Sequence, residues 1–218
     1  MSLSRILFLA IVIGQFSFAM LSLEEEVRAY ESLDLQNPPP KSAVVAVGSS
    51  SIRIWQTMAE DFSPVPILNR GFGGSQMSDL LYFESRLVFK YQPKIALVYE
   101  GDNDLESGKT PERILSEFEE IEKHSHQQDP KMKLVFLSIK PSPARLHLIE
   151  KMRRTNQLVE YFCKTKQNVY FLNVFDAMLT KEGTPRPELF QKDGLHMNAV
   201  GYGVWKQIIV PYIKNLFY

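Results

Sequence analysis

The stretch AVVAVGSSSIRIW, residues 43–55, decides how the rest of the chain reads. Its first five positions are all apolar, the pattern of a strand covered on both faces, as strands of a parallel sheet are. The run stops at Gly48, and Ser49, Ser50 and Ser51 then occupy a strand-to-helix turn. A nucleophile held at such a turn is exposed, and the start of the following helix favours negative charge. A serine-rich turn alone is more often an ordinary helix cap, so it needs chemical partners elsewhere in the chain.

Working outward, similar apolar runs recur at VPIL (65–68), IALVY (95–99), KLVFLSI (133–139) and NVYFLNV (168–174), which makes five predicted strands. A helix is predicted over 23–33, and amphipathic stretches over 76–89, 144–166 and 198–217. Thr110 can cap another helix with Pro111 at its first position, followed by Ile114, Phe118 and Ile121 on one face. Strand and helix in alternation predict an α/β fold with right-handed crossovers and a mostly parallel sheet. Ligands of such sheets bind beyond the carboxyl ends of the strands, so those ends are where chemistry should lie.

The chain has 218 residues, 44% of them hydrophobic, enough for one compact domain with an adequate core. Lys plus Arg and Asp plus Glu number 25 each, so no global field draws it to nucleic acid or an acidic membrane surface. Cys163 is the single cysteine, which excludes an intrachain disulfide and a cysteine-based zinc site; its apolar neighbours suit a buried, inert thiol. At the N-terminus Arg5, the apolar run 6–13 and the small residues Ser17 and Ala19 form a secretory signal pattern. The expectation is a signal peptide at 1–19, cleaved rather than kept as an anchor, and an exported domain at 20–218, periplasmic or secreted.

Four loops beyond different strands carry complementary chemistry. The serine turn ends the first, and NRGFGGS (69–75) follows the second, its glycines letting backbone N–H groups approach a ligand. That loop lacks the lysine of a phosphate-binding GxxxxGK[ST] element, which argues against a nucleotide-binding protein of flavodoxin-like fold. Gly101-Asp102-Asn103-Asp104 follows the third strand, and the Asn103 amide can donate to a developing negative oxygen. After the fourth strand, Lys140-Pro141-Ser142-Pro143 offers no obvious reacting group and reads as a pocket wall. Past the fifth, Asp193 and His196 stand three apart in a tight turn, where the carboxylate can orient the imidazole as a base. His124 and His126 face different directions at a helix end, and His147 has Glu150 at helical spacing, as a surface pair or as half of a metal site that no second histidine motif supports. Trp55, Phe72 and Phe190 lie near the predicted site, as core residues or as the lining of an acyl or sugar pocket.

The order Ser, Gly, Asn, His, with an Asp three before the His, resembles the SGNH (GDSL-like) hydrolase superfamily. VVAVGSSSIRIW resembles its first block, in a bacterial branch with a GSSSIRxW element, and NRGFGGS, YEGDND and DGLH resemble the others. Ser49 stands where the family's motif usually has aspartate. The resemblance implies a three-layer α/β/α sandwich of flavodoxin-like appearance with a five-stranded parallel sheet. It further implies Ser50 as nucleophile, His196 as base, Asp193 as its orienter, and Ser50, Gly74 and Asn103 as oxyanion donors, with neither metal nor organic cofactor. The expected activity is ester hydrolysis, on short acyl esters such as O-acetyl groups of carbohydrate. The alternatives are a lysophospholipase or other lipid esterase, or a non-catalytic carbohydrate-binding module on the same scaffold.

Overall fold

The computed structural model describes residues 3–218, with side chains described from Met20 onward. It divides near residue 38 into two units. The first carries a single helix, α1 (Leu3–Gln36), which outruns the predicted 23–33 at both ends. No proline interrupts residues 3–36, and a nucleated helix propagates at one hydrogen bond per residue. On α1, Arg28 Nε donates to Glu24 at 2.6 Å across one turn. The expected signal segment at 1–19 lies outside the residues whose side chains are described. Among the described residues no helix is long and apolar enough to cross a membrane.

The second unit is built on five strands: β1 (Val44–Gly48), β2 (Ile67–Gly71), β3 (Ile95–Tyr99), β4 (Lys133–Leu137) and β5 (Val169–Leu172). All pair in parallel in the order β2-β1-β3-β4-β5. The order reverses between β1 and β3, and at such a switch point the crossovers leave on opposite faces and open a crevice at the carboxyl edge.

Helices cover both faces of the sheet. Alternate strand residues Val44, Ala46, Leu97, Tyr99 and Val135 join one buried cluster with Trp55, Met58, Trp205 and Ile209. These come from α2 (Ser50–Arg53), α3 (Met58–Phe62), α8 (Ala199–Phe217) and their joints. The opposite alternation, including Val45, Val47, Val98 and Phe136, is equally buried. That face meets α4 (Met77–Leu87), α6 (Pro111–Gln128) and α7 (Ile149–Lys164), with Phe118 edge-on to Phe136 at 5.0 Å. Burial on both faces is why the strands read as unbroken apolar runs.

Two predicted boundaries move for identifiable reasons. The second strand, expected at 65–68, spans Ile67–Gly71. Pro66 has no N–H for a ladder and contributes only its carbonyl, which accepts from Val44 N at 2.9 Å. As an edge strand with half-buried residues, β2 admits Asn69 and Arg70, which broke the apolar pattern. The helix predicted over 144–166 instead begins as a 3-10 turn, Pro143–Leu148, with Arg145 out of helical conformation at φ −116° and ψ 28°. The α-helix proper starts at Ile149.

The expected caps are present: Thr110 Oγ1 accepts from Arg113 N at 3.2 Å, and Asn198 Oδ1 accepts from Val200 N and Gly201 N. Cys163 is buried, and burial pushes its thiol up to about 12, leaving almost no thiolate at neutral pH.

Candidate active site

The serine turn depends on Gly48. A Cβ there would sit 1.9 Å from the Tyr99 carbonyl oxygen, and its φ of +138° disfavours any other residue. This close approach lets Ser49 N donate to Tyr99 O at 3.1 Å, binding the end of β1 to the end of β3. Ser50 is the next residue and opens α2. Its Oγ lies 3.0 Å from His196 Nε2.

His196 is held by its own turn. Asp193 Oδ1 accepts from Leu195 N at 2.9 Å and His196 N at 3.0 Å, while Oδ2 lies 2.7 Å from His196 Nδ1. A carboxylate accepts, so Nδ1 carries the proton and Nε2 presents its lone pair to the Ser50 hydroxyl. The bond from His196, then that from Leu195 N, holds the Asp193 carboxyl down at about 2. Gly194 lends its carbonyl to Ala144 N at 3.0 Å, tying the turn to the loop after β4.

The glycine loop is tied to the end of β1 by Phe72 N, which donates to Gly48 O at 2.8 Å. Gly74 takes φ +78° in the loop after β2. Asn103, on α5 (Asp102–Glu106), donates one amide hydrogen to Ser75 O at 2.9 Å. Arg145 Nη2 donates to Asn103 Oδ1 at 2.8 Å, which settles which end of the amide is oxygen. The second amide hydrogen is thereby available to a ligand. Asp104 accepts from Met77 N at 3.0 Å and from Lys109 Nζ at 2.8 Å, anchoring the start of α4 just beyond the glycine loop.

Sequence reasoning did not find Arg145 or Lys140. Lys140 stands in the loop that reads from sequence as a pocket wall and Arg145 in the predicted helix 144–166, yet Arg145 Nη1 and Lys140 Nζ both reach Asp102 Oδ2, at 3.1 and 3.3 Å. Lys140 is fully buried, and burial lowers its pKa. The available signal was two basic residues directly after a strand end, where the other loops already carried polar chemistry. His147 also departs from expectation: it lies 3.5 Å from Glu106 instead of pairing with Glu150, because it sits in the 3-10 turn ahead of α7. His124 pairs with Glu84 at 2.6 Å, remote in sequence from the serine turn.

A cleft of about 720 Å³ opens beside His196. Arg53, Gln191, Asn198, Tyr202 and Lys206 are among its lining, with Trp55 at its floor. Trp55 serves core and cleft together, since it is buried and its Nε1 donates to Asp61 at 2.8 Å. Phe72 and Phe190 are buried core residues.

A hydroxyl, an imidazole and a carboxylate in a hydrogen-bonded row, at the carboxyl edge of a doubly wound sheet, define the class: a three-layer α/β/α hydrolase. Comparison with known proteins narrows it. The model of the GDSL-like lipase/acylhydrolase family matches residues 44–204, and the chain belongs to that family. It is an ester hydrolase. No curated protein matches the chain in sequence. Among solved structures, it resembles a Streptococcus pneumonia protein provisionally named a platelet activating factor, with TM-score 0.81 and 21% identity over 96% of this chain and 99% of that one. A GDSL-like lipase from Bacteroides thetaiotaomicron aligns with TM-score 0.74 and 19% identity, covering 87% and 97%. An acetyl-xylooligosaccharide esterase from Geobacillus Stearmophilus aligns with TM-score 0.66 and 11% identity, covering 83% and 96%. At these identities the likeness is one of fold.

Proposed function

We propose that the chain is a serine esterase in which Ser50 is the nucleophile, His196 its base and Asp193 the group that orients and stabilises the imidazolium. The observation that carries this reading is the unbroken row Ser50 Oγ, His196 Nε2 and Nδ1, Asp193 Oδ2, at 3.0 and 2.7 Å. In the reaction, Oγ attacks the ester carbonyl carbon as its proton passes to His196 Nε2. The carbonyl oxygen becomes an oxyanion held by the N–H groups of Ser50 and Gly74 and the Asn103 amide. Collapse breaks the bond to the alcohol, which leaves with the proton from His196. Water then attacks the acyl-serine, giving its proton to the same nitrogen, and the acid departs as Ser50 recovers its hydrogen.

The substrate we favour is a short acyl ester of a sugar, such as an O-acetyl group. The alcohol takes its proton from His196, so it must lie on the histidine side, where the cleft is rimmed by hydrogen-bonding side chains. Trp55, Met197 and Tyr202 add apolar and aromatic surface to the same cleft, which suits the ring face of a sugar. The signal-like residues 1–19 suit export to a compartment that holds such glycans.

The test is hydrolysis of p-nitrophenyl esters from acetyl to octanoyl by residues 20–218 and by Ser50→Ala. Loss of about a millionfold in kcat in the variant, with acetate preferred, supports the reading. Preference for octanoate points to lipid, and inactivity of the folded wild type points to a binding module.

A further inference from the structure

Glu100 directly follows β3 and is completely buried. Its Oε1 lies 2.5 Å from Ser75 Oγ, which in turn lies 3.0 Å from the Phe72 carbonyl oxygen. A hydroxyl has one hydrogen, and a carbonyl oxygen can only accept. If Ser75 satisfies Phe72, the hydrogen between Ser75 and Glu100 must come from Glu100.

The surroundings agree. Among the described residues the Glu100 carboxyl has no cationic partner, and its Oε2 has no hydrogen-bond partner at all. The charged groups that bear on it are carboxylates from both neighbouring helices, Asp104 and Asp102 on α5 and Asp79 on α4. The nearby cations are engaged by those acids: Lys109 by Asp104, and Lys140 and Arg145 by Asp102. An ionised, unpaired carboxylate in such a place is costly, whereas the bare oxygen of a neutral acid is tolerable. Burial first, and Asp104 next, push the Glu100 acid well above the usual carboxylate range.

We propose that Glu100 is a neutral acid and a positioning residue for the oxyanion donors. Its hydroxyl donates to Ser75 Oγ, and Ser75 donates to Phe72 O, so one chain of hydrogens braces the loop that carries Gly74. The same Ser75 holds the Asn103 amide through its carbonyl. Loss of the Glu100 proton sets two acceptors against one hydrogen and loosens the loop. The positioning role rests on the serine-esterase reading above; the protonation state does not.

The experiment compares wild type, Glu100→Gln and Glu100→Leu in turnover and in thermal unfolding. Glutamine supplies an N–H in place of the acid O–H, so E100Q keeps kcat within about twofold, while E100L loses about threefold to tenfold in kcat with KM unchanged. A carboxyl whose pKa is raised in the folded protein costs stability increasingly as pH rises above its unfolded value. E100Q should therefore match wild type in Tm at about pH 4 and exceed it progressively toward about pH 8. A Tm difference that is negative or independent of pH overturns the neutral acid. Wild-type kcat in a folded E100L overturns the positioning role. Should wild type show no turnover dependent on Ser50, the esterase reading fails and positioning falls with it, while the Tm series still judges the proton.

Discussion

Two neighbouring pieces of the active edge are built in opposite ways. The Asp193–His196 turn is local: the Asp193 carboxylate takes all three of its hydrogens from residues two and three positions on, and its side chain is 46% exposed. The segment at Asp102, Asn103 and Asp104 is assembled from afar. Asn103 is held by Ser75 and Arg145, and Asp104, fully buried, by Met77 and Lys109. A short motif can thus hold a carboxylate against an imidazole unaided, whereas Asn103 and its neighbour are positioned from three separate stretches of chain, at 75–77, 109 and 145. The first should be chemically sensitive and structurally cheap, the second sensitive in both respects.

That contrast can be broken by substitution. The largest effect is expected for Asp193→Asn, which leaves the turn's outline but removes the acceptor that selects the imidazole tautomer. Turnover should fall about ten-thousandfold at neutral pH, where the carboxylate it replaces is charged. Its Tm should stay near wild type, and a large drop would show that the turn is not self-contained. Asn103→Ala comes next, with a loss of about a hundredfold to a thousandfold in kcat and little change in KM, measured on the best p-nitrophenyl ester. Near-normal turnover would remove Asn103 from the oxyanion hole. The smallest loss of turnover among these three is expected for Arg145→Ala, about tenfold to a hundredfold, because the amide remains but its carbonyl loses a charged partner. Here Tm should fall as well, since Asp102 then depends on Lys140 alone; an unchanged Tm would erase the contrast between the two regions.

Much of this was legible before any coordinates. IALVY coincided with β3 because a central strand buried on both faces has no reason to interrupt its apolar run. The edge strand β2 was displaced, since half of its surroundings is solvent and polar residues are tolerated there. Ser50, Asn103, Asp193 and His196 were each singled out from loops at strand ends, and Ser50 and His196 lie within hydrogen-bond reach across 146 positions of chain. Arg145 was passed over because the stretch around it fits a helix, and the break at that residue answers to the packing of the loop against Gly194.

By itself the sequence determined the strands, the parallel sheet and the turn in which Asp193 and His196 meet, because strand burial, capping and the Asp-x-x-His turn are short-range matters of pattern and hydrogen-bond reach. Only the tertiary structure decided which groups support them: that Arg145 holds the Asn103 carbonyl, that Asp104 anchors α4, and that Glu100 is buried against Ser75 with no cation beside it among the described residues. Those outcomes depend on burial and on charges brought together from distant stretches, and no local run of residues carries that information.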